Sequence, residues 1–595
     1  MTAAQSQSGG DARGSRHTGG VAPTRKQIVL AVAAGLALAD ASIVTLALPR
    51  LLTELDATVE GVAAVIGVYT VVLAAALLPA ERLRRRVGPR KLGAGGLGLF
   101  AAACVGCAAA GSLELLLVLR AVQALGAAAA LVAAFDLLGA GTAGSAGRRA
   151  WSTAAVVGFA AGPAIGGLLT QLFDWRAIFV AQVPVALAGA LASLGRGARA
   201  GTASGGAGAP GGAAAEPDAA GARSDAAAEA SARGAAGTGR PAIALALLSA
   251  ALTAVLFLLV LLLVAGWNEE PLAAAIGVSV LPAAALLTRN TRGDPRMRAA
   301  TGSVLVAAGT LCLAVLPLAS LWWTLVPQLL AGAGLGLALP ALAGDLLPER
   351  TPAEAARLLT ARHAGIALAL LVLAPILAGN LDSATEQARE RGVAIVLDSP
   401  LPPQEKLRLA PDLLNGVDQS EPRKGLQDAI ARNRDQFEGE QRSDYDSLGQ
   451  KADDTLIDAV ADSFRLAFVI AAAFALLAAL AALPSPARRL SLARLTAAAL
   501  AVPLLYLVLH GAIAPEPVKI ADPCKERKLP DGQGLSGVVQ DAALISLDQI
   551  ACHFGSSREQ LVLALADPDE ARRYKARYGV DPRAAGNLLE GLIGG

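Results

Sequence analysis

The stretch QIVLAVAAGLALADASIVTLALP, residues 27–49, contains one ionisable side chain, Asp40, in an otherwise uncharged and largely apolar run. A helix of about 20 apolar residues, rising 1.5 Å per residue, crosses the ~30 Å hydrocarbon core of a membrane. The stretch therefore predicts a transmembrane helix. An acidic group inside such a helix costs free energy unless it is paired or hydrated, so Asp40 is a candidate functional residue.

Runs of the same kind recur along the chain and bring the predicted number of membrane spans to about thirteen. We number them 1 to 13 in chain order: 27–49, 62–80, 92–110, 113–138, 151–173, 177–194, 241–266, 272–288, 299–318, 321–347, 355–379, 464–483 and 490–513.

The composition supports a membrane protein and excludes several other classes. Of 595 residues, 54% are hydrophobic, and the mean hydropathy is +0.51, which leaves too little polar surface for a water-soluble globule. Lys and Arg (51) nearly balance Asp and Glu (49), so no nucleic-acid partner is indicated. The sequence has no nucleotide-binding motif, which disfavours an ATP-driven pump. We expect no enzyme activity, no cofactor and no metal site.

The fold class predicted is all-α: an integral membrane protein of two helical halves with helical additions outside the membrane. Residues 195–240 are rich in Gly, Ala and Ser and predict a flexible linker. The segments in order are a disordered tail (1–26), an N-terminal half of six spans (27–194), the linker (195–240), the first part of the C-terminal half (241–379), a polar insertion (380–463), the last two spans (464–513) and a small C-terminal domain (514–595).

The distribution of arginine predicts the orientation in a bacterial plasma membrane, because cationic loops stay cytoplasmic. The arginine-rich segments 82–91, 289–298 and 488–494 all fall on one side, together with the linker. The turns on the other side, such as 54–60, are short and neutral or acidic. We therefore expect a cytoplasmic N-terminus, and an odd number of spans places the polar insertion and the C-terminus outside.

The cysteines divide between these two environments. Cys104, Cys107 and Cys312 lie in spans and are interpreted as small packing residues. Cys524 and Cys552 lie in the exterior C-terminal domain, where an oxidising environment favours a disulfide. A metal site that uses these two residues and His553 lacks a fourth ligand.

Helix signals are clear in the same domain. Ser556 and Glu559 have the spacing of a capping box at the start of a helix. Asp567 and Pro568 predict the start of the next helix, and Gly579 predicts its end.

The stretch GFAAGPAIGG, residues 158–167 in span 5, places Gly158, Gly162 and Gly166 at every fourth position. Such a stripe lets another helix approach closely, and Pro163 removes a backbone hydrogen bond and permits a bend. Close packing alone explains the glycines but not the Gly-Pro pair.

This stretch, Gly167 included, matches the antiporter motif G-x3-G-P-x2-G-G of the major facilitator superfamily at every defined position. LALADASIVTLALPRL, residues 36–51, resembles the first-span motif of the fourteen-spanner drug:proton antiporters, with Asp40 at the acidic position. LRAVQALG, residues 119–126, resembles motif B of that family and retains Arg120 and Gln123. The chain is thus similar to this branch over most of residues 27–194, and more loosely to 378.

The resemblance implies a major facilitator fold, whose two halves enclose the substrate site. It further implies proton-coupled export of a small hydrophobic or amphipathic compound by a monomer in the lipid bilayer. In that interpretation Asp40 carries the proton, Arg120 and Gln123 tune it, and span 5 acts as the hinge.

The loop between spans 2 and 3 departs from the family pattern. Motif A reads G-x3-D-R-x-G-R-R, and here the Gly position is Glu81 and the Asp position is Arg85. The remaining motif positions are retained as Arg86, Gly88, Arg90 and Lys91. In the family the missing Asp helps to latch the outward-facing state, so the resemblance implies a latch that is altered or absent.

Asp40 and Arg120 have the same predicted depth, about 10–12 Å below the exterior surface at 1.5 Å per residue. Shared depth predicts an ion pair, which can serve proton coupling or can be a static bond between two helices. Four other ionisable residues fall near the cytoplasmic ends of their spans and are interpreted as solvated interfacial charges: Asp136, Asp345, Arg362 and His363.

A second function class stays open beside transport. A descendant that no longer transports could act as a membrane scaffold or sensor that binds a partner through the exterior regions. The altered motif A and the large additions favour that alternative. Asp40, Arg120 and the complete antiporter motif favour transport, because a scaffold has no need of a charge inside the membrane.

Overall fold

The computed structural model describes residues 23–141, 146–195, 218–346, 351–402, 404–406, 408–409, 422–515, 518–527 and 534–582. Within these ranges the secondary structure is helical and contains no strand. Twelve of the described helices are long and apolar enough to cross a membrane. The helix Ala146–Leu172, whose side chains are described in part, occupies the place of span 5. The all-α membrane fold is confirmed.

The N-terminal half contains spans 1 to 6 and a short helix, Leu48–Glu54, after span 1. The spans are Arg25–Thr45, Val59–Val87, Pro89–Ala108, Leu113–Leu137, Ala146–Leu172 and Arg176–Leu194. Local signals fix several of their starts, since the side chains of Thr24, Thr58 and Ser112 each accept a hydrogen bond from the backbone of the first turn.

The C-terminal half contains spans 7 to 13. Span 7 is Asp218–Val260 with a π-helical end, Leu261–Gly266, and span 8 is Pro271–Val278 followed by Val280–Thr288. Spans 9 to 13 are Pro295–Ala314, Leu321–Pro340 continued by Ala341–Asp345, Pro352–Leu397, Gly439–Ala481 and Arg489–Ile513.

Part of the predicted linker is helical. The helix of span 7 begins at Asp218 and includes residues 218–240. This stretch is rich in alanine, the residue with the highest intrinsic helix propensity, and it continues directly into an apolar span. Residues 196–217 of the linker and residues 1–22 of the predicted tail lie outside the described residues.

The ends of the helices alternate between two sides of the molecule. At one side, which we call the arginine-rich end, Arg298 of span 9 pairs with Asp345 of span 10 at 2.8 Å, and Arg488 pairs with Asp294 at 3.1 Å. At the other side, the capped end, His510 of span 13 lies 2.8 Å from the carbonyl oxygen of Leu316.

The polar insertion and the C-terminal domain both lie at the capped end. Spans 11 and 12 continue beyond membrane length to Leu397 and from Gly439. The helix Pro422–Arg434 packs between the helix of span 12 and the π-helical end of span 7. Arg423 in that helix pairs with Asp453 at 2.9 Å and donates a 2.6 Å hydrogen bond to the carbonyl of Trp267.

The C-terminal domain consists of the helices Gly534–Phe554, Arg558–Ala566 and Pro568–Tyr578. A disulfide joins Cys524 to Cys552 at the start of this unit. The capping box lies one residue later than predicted, at Ser557 and Gln560, because the Ser556 hydroxyl is hydrogen-bonded to Tyr574 instead (2.6 Å).

The last helix of this domain has the predicted ends. Asp567 caps its start by accepting a hydrogen bond from the backbone of Asp569. Gly579 closes it with φ of +70°, in the left-handed region that favours glycine.

Charged contacts fasten the C-terminal domain to the extension of span 11. Arg558, which is fully buried, pairs with Asp398 at 2.7 Å, and Gln560 donates a 2.7 Å hydrogen bond to Glu390. A second arginine, Arg527, pairs with the buried Glu559 at 3.1 Å. The C-terminal domain is therefore packed against the part of the polar insertion that extends span 11.

The orientation of the whole chain is testable by cysteine accessibility. We expect Ser443→Cys, at an exposed position of the capped end, to react with an impermeant thiol reagent in intact cells. Ser224→Cys, in the first turns of the helix of span 7, should stay unlabelled until the cells are opened. The opposite pattern in intact cells would invert the predicted topology.

The disulfide is testable by mass spectrometry of protein extracted without reductant. Cys524 and Cys552 should appear as one cross-linked peptide, whereas Cys312, buried in span 9, should be alkylated only after unfolding. Closing a loop of this length stabilises the domain by about 3–4 kcal/mol in the chain-entropy estimate. Two free thiols at Cys524 and Cys552 would refute the pairing.

Candidate functional site

A fully buried ion pair lies in the core of the N-terminal half. The Nη1 atom of Arg120 in span 4 is 2.6 Å from Oδ2 of Asp40 in span 1, and both side chains have no exposed surface. An ion pair in this position carries a large desolvation cost, which only close contact and additional hydrogen bonds can offset.

Gln123 bridges the two charges. Its side-chain oxygen accepts a 2.7 Å hydrogen bond from Arg120, and its amide nitrogen donates to Asp40 at 3.2 Å. Arg120 also donates to the carbonyl of Val65 (3.1 Å), and its guanidinium lies over the ring of Tyr69, 4.3 Å from the ring centre. The pair thus ties spans 1, 2 and 4 together.

The network is not fully satisfied. Nη2 of Arg120 and Nε2 of Gln182, in span 6, are buried without a hydrogen-bond partner among the described residues. Buried polar groups of a static core are nearly always bonded, and each unbonded one costs about 1–3 kcal/mol. An arrangement optimised only for stability would not leave these groups unpaired.

The glycines of the antiporter motif lie against the part of span 1 that follows Asp40. A Cβ atom on Gly162 would lie 2.1 Å from the Ser42 hydroxyl, and one on Gly166 would lie 2.2 Å from the carbonyl oxygen of Ile43. These distances leave no room for a side chain, so glycine is required for spans 1 and 5 to pack this closely. Gly158 lies outside the part of span 5 whose packing is described.

The same helix also contacts the other half of the molecule. A Cβ atom on Gly167 would lie 2.3 Å from Cβ of Ala275 in span 8, and Gln171 accepts a 2.7 Å hydrogen bond from the backbone of Leu272. Pro163, which is buried, lies between Gly162 and Gly166, within the region that contacts span 1. Span 5 therefore connects span 1 to the interface between the halves at the capped end.

A cavity of about 420 Å³ lies between the two halves. It extends from Thr45 and Ile66 in the interior to Ala140 and Thr351 at the arginine-rich end, and its walls are largely apolar, with Trp151 among them. Its size is within the range of cavities that bind small molecules. Because the halves touch at the capped end, the cavity reaches the arginine-rich end only.

Asp40 does not face this cavity. The residues of span 1 that line it are Leu38, Ala41, Ser42 and Thr45, which share one face of the helix. At 100° per residue, Asp40 lies on about the opposite face, toward the core of the N-terminal half. Span 1 therefore lines the cavity with one face and holds the buried ion pair on the opposite face.

The retained residues of the loop motif lie at the arginine-rich end. Gly88 has φ of +81°, a conformation that favours glycine, and joins spans 2 and 3 without a longer loop. Arg86, Arg90 and Lys91 are exposed. The structure does not bring these four residues near Asp40.

Two other residues of that loop region form a link within the N-terminal half. Glu81 is buried and pairs with Arg84 at 2.7 Å, and Arg84 also pairs with Asp136 of span 4. Asp136 is therefore part of an ion-pair chain rather than a solvated end charge.

Arg362 is the residue that the sequence interpretation missed. It was assigned to the solvated end of span 11, but it lines the cavity. Its neighbour His363 is buried and lies 2.7 Å from the carbonyl oxygen of Leu359. Counting residues from the predicted start of span 11 places Arg362 about 10 Å inside the helix, and this is the signal in the sequence.

Comparison with known proteins agrees with these observations. The family model of the Major Facilitator Superfamily matches residues 30–383. The chain is 32% identical over 165 residues to the methylenomycin A resistance protein of Bacillus subtilis, a match that covers 27% of this chain and 35% of that protein.

Two further relatives have the same kind of partial match. The multidrug resistance protein Stp of Mycobacterium tuberculosis is 32% identical over 27% of this chain and 32% of its own length. The tetracenomycin C resistance and export protein of Streptomyces glaucescens is 34% identical over 28% of this chain and 32% of its own length. The matches thus span about a third of these relatives.

Among solved structures, the chain is similar to a bacterial homologue of the human lysosomal transporter Spinster. The match covers 78% of this chain and 98% of that one, with a TM-score of 0.50 and 15% identity. At this identity the likeness shows the fold alone.

The tight contact between spans 1 and 5 predicts the effect of a single methyl group. Gly166→Ala should destabilise the protein by about 1–3 kcal/mol, because the added Cβ meets a backbone carbonyl. Gly98→Ala in span 3, where no atom lies within 4 Å of the added group, is the matched control and should leave the melting temperature unchanged or slightly raised. Equal melting temperatures for both variants would show that the contact is not tight.

Proposed function

The chain belongs to the major facilitator superfamily, and from that premise we propose that it is a proton-coupled exporter of small hydrophobic or amphipathic compounds. The observation that carries the proposal is the position of span 1. One of its faces lines the cavity between the halves, and the opposite face carries Asp40, buried against Arg120. A change at Asp40 thus acts on the helix that forms the substrate site.

The proposed coupling begins when a proton from outside binds the Asp40 carboxylate. Neutral Asp40 no longer attracts Arg120 electrostatically, while Gln123 and the carbonyl of Val65 remain as hydrogen-bond partners of the guanidinium. Span 1 is then free to move relative to span 4. The substrate leaves to the exterior. When Asp40 later releases its proton to the cytoplasm, the ion pair forms again.

Span 5 provides the route from this event to the interface between the halves. Its glycines are in contact with Ser42 and Ile43 of span 1, directly after Asp40 in sequence. One and five residues after Gly166, Gly167 and Gln171 contact span 8 of the other half. A shift of span 1 therefore changes the contact that holds the capped end closed, which is what alternating access requires.

The relatives support export as the direction of transport. The loop charges support a cytoplasmic location of the arginine-rich end. The relatives are resistance or export proteins for methylenomycin A, tetracenomycin C and multiple drugs, all small molecules. With the arginine-rich end in the cytoplasm of a bacterial cell, the cavity opens to the cytoplasm. The structure then represents the state that accepts substrate from inside.

A membrane scaffold or sensor is the second candidate function. It is favoured by the burial of the ion pair away from the cavity, which is what a purely structural bond would show, and by the exterior unit attached to span 11. The two candidates differ in what a neutral residue at position 40 does to transport.

The decisive experiment separates folding from transport. Asp40→Asn should lower the yield of folded, monodisperse protein, because Arg120 then remains buried without a charged partner, at a cost of a few kcal/mol. The double variant Asp40→Asn/Arg120→Gln should recover part of that yield. It should not recover proton movement in proteoliposomes supplied with methylenomycin A, tetracenomycin C or other drugs, because an amide cannot carry the proton.

The exposed pair Arg434–Asp446 at the capped end is the control. Its atoms are 2.8 Å apart but both side chains are largely solvated, so removing either charge should cost at most about 1 kcal/mol and leave transport intact. If Asp40→Asn folds normally and still couples export to proton movement, Asp40 is not the carrier. Asp136 is then the next carboxylate to test.

A further inference from the structure

Arg362 lies on the wall of the cavity, within the membrane-spanning part of span 11. The residues of this helix that line the cavity include Glu354, Leu358, Arg362 and Ile366, whose helical spacing places them on one face. Arg362 comes about ten residues after the helix start, which corresponds to about 15 Å at 1.5 Å per residue. The backbone of Arg362 is therefore almost three helical turns from the helix start.

The other ionisable side chains of the cavity lie at the arginine-rich end and have partners. Arg148 donates a 2.9 Å hydrogen bond to the carbonyl of Gly141, and Asp345 pairs with Arg298 at 2.8 Å. Glu354 also interacts with a neighbouring group. Arg362 differs from all of them, since no hydrogen bond or ion pair with another described residue is found for it.

An unpaired cation at this depth is costly, and cations inside membrane proteins normally face a partner or a binding pathway. The cavity lining is largely apolar, and its uncharged polar side chains include the hydroxyl groups of Ser249 and Thr253 on span 7. A guanidinium presents a planar fork of donors that matches a carboxylate or similar anion. The missing partner of Arg362 therefore has the chemistry of an organic anion.

We infer that the cavity binds amphipathic organic anions, with the anionic group on Arg362 and the apolar body against the walls that Leu38, Leu252 and Trp151 form. This inference rests on the proposed transport function and specifies its substrate class. It makes Arg362 a specificity-determining residue, distinct from the Asp40–Arg120 pair, which contacts no part of the cavity. Recognition of the substrate's charge is thus assigned to Arg362, and proton coupling is assigned to the Asp40–Arg120 pair.

The test is equilibrium binding to the full chain in lipid nanodiscs, with empty nanodiscs subtracted. Three dansyl probes share one aliphatic chain and end in a carboxylate, a methyl ester or a trimethylammonium group. Wild-type protein should bind the carboxylate probe most tightly. Arg362→Gln should weaken carboxylate binding about 10- to 100-fold and leave the ester probe nearly unchanged, because only the charged hydrogen bonds are lost.

Further variants separate charge from folding. Arg362→Lys keeps the charge and should retain part of the carboxylate preference, and Arg362→Glu should shift the preference to the trimethylammonium probe. Arg357→Gln, an exposed position on the same helix, is the control and should bind all three probes as the wild type does. Each variant is used only after it elutes as a monodisperse species.

The inference is overturned if the wild type shows no preference for the carboxylate probe, or if Arg362→Gln keeps that preference. Binding in nanodiscs needs no proton gradient and no turnover, so the result does not depend on Asp40. If Arg362→Gln loses the preference for the carboxylate probe and the wild type shows no proton-coupled export, the binding site is supported and the proposed function is wrong.

Discussion

Asp40 and Arg120 carry opposite charges into a part of the molecule where neither can be hydrated. Their contact is the condition under which spans 1, 2 and 4 can pack as they do, because a lone charge at that depth would cost several kcal/mol. Gln123 holds both groups and fixes their orientation. Reversible neutralisation of one member would therefore change the packing of the whole N-terminal half.

In the proposed mechanism, span 1 converts this local event into a change at the substrate site. One face of span 1 carries Asp40 against Arg120, the opposite face lines the cavity, and the residues after Asp40 lie against the glycines of span 5. Span 5 in turn closes the capped end against span 8. The antiporter motif thus has a physical task here: glycine permits helices to touch so closely that one cannot move without the other.

Much of the fold could be predicted from the sequence, because the signals were long and independent of tertiary context. Apolar runs placed the spans, and shared depth paired Asp40 with Arg120. The rest depended on contacts that distant residues decide. Which face of span 1 meets the cavity depends on helix rotation, and the sequence alone does not fix it. The capping box at Ser557 rather than Ser556 depends on Tyr574, far along the chain.

Arg362 shows the same limit from the functional side. A charge near a helix end looks solvated in the sequence, and only the cavity reveals that its helix face is turned inward. The helical stretch 218–240 shows that composition typical of linkers can still form helix when an alanine-rich segment leads into a span. In both cases the neighbouring structure determined the outcome.

The central claim is that Asp40 takes up and releases a proton during transport, and infrared difference spectroscopy of the carboxyl C=O stretch tests it most directly. Spectra of the protein in lipid, recorded across a drop in pH with and without a transported compound, should contain a band of protonated Asp40 that is absent in Asp40→Asn. A set of carboxyl bands that is identical in wild type and Asp40→Asn would contradict the claim and leave the ion pair as a structural bond.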